Sequence, residues 1–321
     1  MTAFATVSDK VLETSVVGSF SKIGFNVRSS LERWQQPVSM LHKTVLITGA
    51  TSGIGLEAAT QMATLGATVH FLARSESKAR RVQTAIVAAS GNNNVEFTVT
   101  DLSDIDGVRR TAATLAKELE VLHVLVHNAG ALSRTYEVAS NGSEMTIASQ
   151  LLGPFLLTNL LMPLLERASP GKVLTVSSGG MYTQRLDVNQ LEMNRDNYKG
   201  VTAYARAKRA QVVLTHEWAR RVGRANVVFH SLHPGWVDTP GVRTSMPKFH
   251  RFMRPLLRTP PQGADTIVWL AASPQSEESS GDFWLDRRRR SEYKVPWTVP
   301  RNASDDQLQL WQWCDSRRSM N

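Results

Sequence analysis

The chain has 321 residues, 42% hydrophobic and 20% charged, which is too apolar for a disordered chain and long enough to bury a core without disulfide or metal staples. Its one cysteine, Cys314, excludes an intrachain disulfide and a Cys-rich zinc site, so a reducing compartment, the cytoplasm, is expected. Lys and Arg number 37 against 28 acidic residues, and this charge of +9 suits nucleic acid, an acidic membrane surface or a phosphate-bearing cofactor.

Residues 1–40 differ in pattern from the rest of the chain. Val11, Val16, Val17, Phe20, Ile23 and Phe25 are mixed with Ser, Lys and Arg, and Pro37 closes the segment. The spacing predicts one or two short amphipathic helices that cap the main domain. Lys10, Lys22 and Arg28 among the apolar positions also suit a peripheral membrane contact through this extension.

From Thr44 the runs TVLIT, TVHFLA, VEFTVT, VLHVLVH, KVLTVS and NVVFHSLH alternate with helix-length segments such as Leu56–Leu65, Val82–Ala89 and Val108–Leu119. Continuous apolar strands imply burial on both faces, hence a parallel sheet with crossover helices. The expected fold is α/β, a doubly wound parallel sheet of Rossmann type in one main domain over residues 41–290, with a tail over 291–321. The apolar stretch Leu151–Leu165 carries Gly153, Pro154, Asn159 and Pro163 and falls short of the ~20 residues a bilayer needs. A buried helix is the expectation there, and no signal peptide is evident at the start of the chain.

The first strand runs into Gly49-Ala50-Thr51-Ser52-Gly53-Ile54-Gly55 and then a helix. Glycines at such a turn permit close backbone approach to a pyrophosphate, and the helix N-terminus offers free N–H groups to it. The spacing is G-x3-G-x-G, with no Lys-Ser/Thr for a P-loop.

Here the sequence resembles the short-chain dehydrogenase/reductase family, whose T-G-x3-G-x-G motif is met in full by Thr48 through Gly55. Asp101-Leu102 resembles the family's D-[LV] contact to adenine. His127-Asn128-Ala129-Gly130 resembles N-N-A-G with the first Asn replaced by His. Pro234-Gly235, with Val237 and Thr239, resembles the P-G-x3-T segment that touches nicotinamide. The likeness covers roughly residues 42–290, and VSSGGM at Val176–Met181, HPGWVDTPGVR at His233–Arg243, QGADT at Gln262–Thr266 and the pair Asp286-Arg287 narrow it to one member within the family. It implies binding of NADP(H), with NAD(H) as the second option, because Arg74 stands where NAD-preferring members offer an acidic residue and can pair with a 2′-phosphate.

Tyr204 and Lys208 lie at i, i+4 on one helix face. A free tyrosine has a pKa of about 10, and a neighbouring ammonium together with an oxidised nicotinamide is expected to lower it. The resemblance implies that Tyr204 handles the proton, Ser178 hydrogen-bonds the substrate carbonyl, and Lys208 holds the nicotinamide ribose and tunes Tyr204. Gln150 stands where the family has an asparagine that helps hold a water leading from the lysine to solvent. Ser178 and Tyr204 are further apart than is usual, which implies an insertion, Met181 to Gly200, rimming the pocket.

The implied activity interconverts a carbonyl and an alcohol. The segment Trp236–Arg258, with Trp236, Met246, Phe249, Phe252, Met253, Leu256 and Leu257, is expected to be a mobile lid for an apolar small-molecule substrate, lipid, retinoid or steroid-like. Family habit implies a homodimer through Ser149–Leu165 and Tyr204–Val222. His230 and His233, three apart on a strand, point to opposite faces and do not pair on a metal, and no metal site is expected. The run Arg287–Arg290 reads as a solvated face rather than a nucleic-acid site, and Trp311 and Trp313 as docking the tail. The alternative class is a catalytically silent nucleotide-sensing or scaffold protein of the same fold.

Overall fold

The computed structural model describes residues 3–318, so residues 1–2 and 319–321, at the ends of the two expected extensions, lie outside the described residues. Three helices precede the sheet, α1 (Ala3–Glu13), α2 (Val16–Phe20) and α3 (Lys22–Glu32), against the one or two expected. Two serines divide the run: the Ser15 side chain accepts from Gly18 N–H and that of Ser21 from Ile23 N–H, so each starts a new helix.

Strands and helices then alternate as β1 (Thr44–Thr48), α4 (Gly53–Thr64), β2 (Thr68–Ala73), α5 (Glu76–Ser90), β3 (Val95–Val99), α6 (Ile105–Glu118) and β4 (Val124–His127). A long helical segment comes next: α7 (Met145–Ile147), a π-helical turn (Ala148–Leu152) and α8 (Gly153–Glu166). After it come β5 (Gly171–Val176), α9 (Gly200–Val222), β6 (Val227–Leu232), α10 (Pro240–Ser245), α11 (Pro247–Met253) and α12 (Pro260–Ala272). The chain closes with β7 (Phe283–Leu285), β8 (Arg288–Arg289) and α13 (Ala303–Arg318).

The sheet order is β3-β2-β1-β4-β5-β6-β7-β8, parallel except for the antiparallel β7–β8 pair. Alternate strand residues feed two apolar layers. Leu46 packs with Val108, Leu115, Leu156 and Leu214 from α6, α8 and α9. Val45 and Ile47 pack with Met62, Ile86 and Ile267 from α4, α5 and α12. Both faces are therefore covered, which explains the unbroken apolar strands. The helix Met145–Glu166 is long and apolar enough to cross a membrane, yet most of it is buried in the first layer. Chain order reverses between β1 and β4, the switch point at whose carboxyl ends a doubly wound sheet places its ligand crevice.

The β7–β8 hairpin escaped the sequence pattern because its strands are so short. Its turn, Asp286-Arg287, has φ of 55° at both residues, the I′ geometry normally left to Asn and Gly. That strain is held by the side chain of Asp286, whose buried carboxylate is gripped by two arginines.

Candidate active site

The floor of the crevice is made of backbone. A Cβ on Gly55 would lie 2.2 Å from Asn128 Nδ2 and 2.4 Å from Gly49 O, so only glycine lets the α4 N-terminus come this close to the strand end. Asn128 Nδ2 donates to Thr48 O at 3.0 Å and Gly49 O at 3.1 Å, while Thr48 Oγ1 accepts from Asn128 N and Ala129 N. Thr48 and Asn128 thus lock the ends of β1 and β4 together. Ser52, the N-cap of α4, makes no side-chain cap, which leaves the first amides of this twelve-residue helix pointing at the crevice past Thr51, Gly53 and Ile54.

Other candidates gather around the same opening. Thr239, capping α10, sits with its methyl 3.1 Å from where a Gly53 Cβ would be, so the Pro234–Thr239 segment crosses the glycine loop. Arg74 is exposed immediately after β2, and Asp101, just beyond β3, accepts from Ser103 N and Oγ ahead of buried Leu102. The set fits a dinucleotide: a glycine cradle that a side chain would fill, free helix amides for phosphate, and a cation at the far end for a further phosphate.

Beside the cradle lie three side chains from the sequence motif. Ser178 comes just after β5, where its Oγ accepts from Gly180 N and its hydroxyl lies near enough to the Tyr204 phenol to favour the ionised form. Tyr204 and Lys208 share a face of α9, with Lys208 Nζ 5.5 Å from the Tyr204 ring centroid. Burial draws the Lys208 ammonium down to about 7. Burial raises the Tyr204 phenol, and the nearby Ser178 hydroxyl offsets this only in part. In the cofactor-free chain the direction is therefore upward: Lys208, itself desolvated, does not by itself outweigh burial, and the expected lowering would need the oxidised nicotinamide as well.

Gln150 sits in the π-helical turn, 2% exposed. Its Nε2 donates to Ala131 O at 2.7 Å, and its Oε1 is buried with no hydrogen-bond partner. A Cβ on Gly130 would lie 3.1 Å from that oxygen and 2.9 Å from Lys208 Nζ, so both atoms border Gly130. His127, in place of the family's first Asn, is buried, and burial with nearby Lys208 pushes it down to about 3, a neutral imidazole. Thr158 Oγ1 donates to Pro154 O, so it accepts from His127 Nε2–H at 2.7 Å, leaving Nδ1 unprotonated and unpartnered.

The substrate side departs most from the sequence reading. Phe20, at the end of α2, packs 4.4 Å from the His233 ring and against Tyr182 and Trp236, and touches the Cβ position of Gly179 beside Ser178. The base of the expected lid is pinned: Trp236 N donates to Phe20 O, Arg258 N to Trp236 O and Asp238 N to Arg258 O. Gly235 (φ 79°) is required there, since a Cβ would lie 2.2 Å from Arg258 Nε. The Arg258 guanidinium binds Asp286 and the carbonyls of Ser19, Phe20 and Ser21, and Arg28 binds Asp286, Asp9, Glu13 and Ser19 O.

The arginine run is corrected likewise. Arg287 pairs with Asp265, Arg288 with Asp9 and Glu32, and Arg290 with Asp9 and Glu13; only Arg289, paired with Asp282, stands half in solvent. The joint role of Arg28, Arg258, Asp286 and Phe20 was missed by sequence reasoning, because the contacts that define it, such as Arg28–Asp286 and Arg258–Phe20, span 258 and 238 positions. The insertion before Tyr204 divides in two. Gly179–Tyr182 adjoins Ser178 and Phe20, whereas Asn189–Lys199 lines a polar cavity of about 850 Å³ with Glu144, Thr202 and Arg206. Thr202 and Arg206 flank Tyr204 at two-residue spacing, so this cavity faces away from the phenol.

Residues 43–248 match the family model of short chain dehydrogenases. Dehydrogenase/reductase SDR family member 12 of Homo sapiens is 41% identical over 247 residues, covering 77% of each chain. Retinol dehydrogenase 11 of Homo sapiens is 36% identical over 253 residues, 78% of this chain and 79% of its own. Among solved structures, an uncharacterized protein from Mycobacterium paratuberculosis superposes with TM-score 0.69 over 90% of this chain and 98% of its own, at 26% identity. A short chain dehydrogenase of Escherichia coli, solved with NADPH, has TM-score 0.64 over 79% of this chain and all of its own, at 24% identity, a likeness of fold alone.

Proposed function

The chain belongs to the short-chain dehydrogenase/reductase family, an oxidoreductase family working on small carbonyl and alcohol compounds with a nicotinamide nucleotide, and on that premise we propose that it interconverts an apolar carbonyl and its alcohol with NADP(H). The observation that carries the reading is the gathering of Ser178, Tyr204 and buried Lys208, its Nζ 5.5 Å from the Tyr204 ring, at the carboxyl edge of the sheet and beside the glycine cradle.

When bound, the nicotinamide supplies hydride to carbonyl carbon or takes it from the alcohol. The chain's own groups do the rest. The α4 amides and Gly49–Gly55 receive the pyrophosphate, Arg74 a 2′-phosphate, and Lys208 Nζ the nicotinamide ribose. Ser178 Oγ hydrogen-bonds the carbonyl oxygen and steadies the developing oxyanion. Tyr204 Oη delivers its proton to that oxygen, and the raised pKa of the phenol keeps the proton in place for the reductive direction. Half-buried Trp236 and Phe249, edge to face at 5.4 Å, support an apolar substrate.

Two outer features belong to the same reading. On residues 6–33 the carboxylates Asp9, Glu13 and Glu32 turn inward to arginines, whereas Val7, Val11, Val16, Val17, Ile23, Lys10 and Lys22 face out, which supports a cytoplasmic protein in peripheral contact with an anionic membrane surface. Trp311 of α13 wedges between Phe155 and Trp218, 5.0 and 4.5 Å away, so a homodimer through α8 and α9 forms only if α13 moves aside. Sedimentation of the full chain at micromolar concentration checks this.

The test of function is NADPH oxidation, followed by nicotinamide absorbance, over a panel from small polar to bulky apolar carbonyls. Turnover is expected with the apolar ones and is abolished in Tyr204→Phe, which keeps NADPH affinity. Retained activity in that variant, or turnover of small polar carbonyls only, overturns the mechanism or the substrate class respectively.

A further inference from the structure

Lys208 is held from two sides. Its ammonium is 1% exposed and donates to Val176 O at 2.9 Å and to Gln211 Oε1 at 3.0 Å. Gln211, one turn further along α9 and 4% exposed, uses the other end of its amide to donate from Nε2 to the backbone carbonyl of Gln150 at 2.5 Å. An ammonium only donates and a carbonyl only accepts, so the orientation of this amide is fixed by its two partners.

The Gln150 carbonyl is available for a reason visible in the sequence. In an α-helix it would accept from the N–H four residues on, but that residue is Pro154, which has none. The π-helical turn over Ala148–Leu152 widens the backbone at the same place. The α-helical donor to this carbonyl is missing, and Gln211 donates to it from the side.

We propose that Gln211 is a positioning residue of this active site, setting the place and charge of Lys208 by bridging it to the Gln150 carbonyl. With two N–H groups committed to Val176 and Gln211, the third is left for the side bordered by Gly130 and Gln150 Oε1, toward the cofactor crevice. The titratable groups facing Lys208 are Tyr204 on its own helix and neutral His127 from β4; no carboxylate among the described residues offsets its burial. A neutral amide oxygen is therefore the strongest side-chain support for its charge, and removing it moves the lysine's titration. The role rests on the carbonyl–alcohol reading above.

The test compares Gln211→Leu, which keeps the volume and loses both bonds, with Gln211→Glu, which keeps an acceptor for Lys208 and adds a charge. In the pH profile of kcat/KM for carbonyl reduction, the limb on which a protonated lysine is lost moves down by about one pH unit in the Leu variant and up in the Glu variant. Lysine-selective NMR titration of Lys208 in the cofactor-free protein moves in the same two directions. If the Leu variant does not fold, the Glu variant decides alone. An unmoved Lys208 titration by NMR overturns the positioning role, whatever the activity. A wild-type protein that binds NADPH but turns over no carbonyl overturns the functional reading, and the NMR arm still decides whether Gln211 holds the lysine.

Discussion

The two sides of the crevice are built in opposite ways. On the cofactor side, the contacts join residues that the carboxyl ends of parallel strands deliver together: Thr48 to Asn128 and Gly49 to Ala129 from adjacent β1 and β4, and Gly53 to Thr239 from the segment after β6. These are backbone contacts and neutral hydrogen bonds, and they form once the strands pair. On the substrate side, Phe20 and Arg28 from the N-terminal helices meet Trp236, Arg258 and Asp286 from the far end of the chain, and the fastening is a buried cluster of ions. Backbone geometry can be made by a motif. A buried charge needs a partner wherever that partner lies in sequence, so the N-terminal helices are a wall of the site rather than an appendage.

The largest break in that comparison is Asp286→Ala. It leaves Arg28 and Arg258 buried without their shared carboxylate and removes what holds the strained Asp286-Arg287 turn. Removing one member of such a buried set costs about 3–5 kcal/mol, so the denaturation midpoint should fall steeply. NADPH affinity of the fraction still folded should fall much less than stability, because the Gly49–Gly55 cradle does not touch this cluster, whose link to the cofactor side is Arg258 against Pro234 and Gly235. An unchanged midpoint would show that the cluster merely decorates the fold.

Acid should loosen the same side first. Burial alone would raise the carboxyls of Asp9, Glu13 and Asp286, but the surrounding arginines, with Lys294 at Glu13, hold all three below their ordinary 3.8, 4.5 and 3.8. Folded values below the unfolded ones give stability that is present above the ordinary range and lost as pH falls below it. Thermal midpoints should stay level from neutral pH to about pH 5 and drop below about pH 4. Asp286→Asn should flatten that drop; an identical acid slope in the variant would remove Asp286 from the explanation.

Arg74→Asp tests the cofactor side with a smaller, local effect. Exposed after β2, Arg74 has no structural duty in view, so stability should shift by no more than about 0.5 kcal/mol. Losing a charge-assisted bond to a 2′-phosphate is worth about 1.5–3 kcal/mol, roughly 10- to 100-fold in NADPH affinity. Fluorescence titration should show NADH preferred by the variant. Equal affinity of the unmodified protein for both nucleotides would refute the assignment.

The same contrast explains what the sequence could disclose. Six of the eight strands, the glycine loop and the Tyr204–Lys208 pairing are local patterns, each carried by a few neighbouring residues. Arg28 looked like one more surface cation and Arg287–Arg290 like a solvated run, because nothing near them in sequence names Asp9 or Asp286 as partners. The hairpin at Asp286-Arg287 was hidden by strands of only three and two residues and by a turn without the usual glycine. Gln211 lay between these extremes: three residues after Lys208 it shares a helix face with it, and Pro154 four after Gln150 announces a free carbonyl, but only tertiary structure joins the two signals.

Gln150 brings the smallest and most discriminating effect. Its backbone carbonyl serves Gln211 whatever the side chain is, so that link survives any substitution that keeps the turn. What the side chain adds is the bond from Nε2 to Ala131 O and an unpartnered Oε1 beside Gly130 and Lys208, and the role proposed for that oxygen is to hold a water on the way to solvent. Asparagine has the same amide one methylene shorter, so Gln150→Asn should keep turnover within about tenfold, a barrier change of ~1.4 kcal/mol or less. Gln150→Leu offers neither acceptor nor donor and leaves the Ala131 carbonyl bare, so it should lose more, and the loss should show as a larger solvent isotope effect on kcat. Full activity in the leucine variant would mean that protons reach Lys208 by a path that does not pass this side chain.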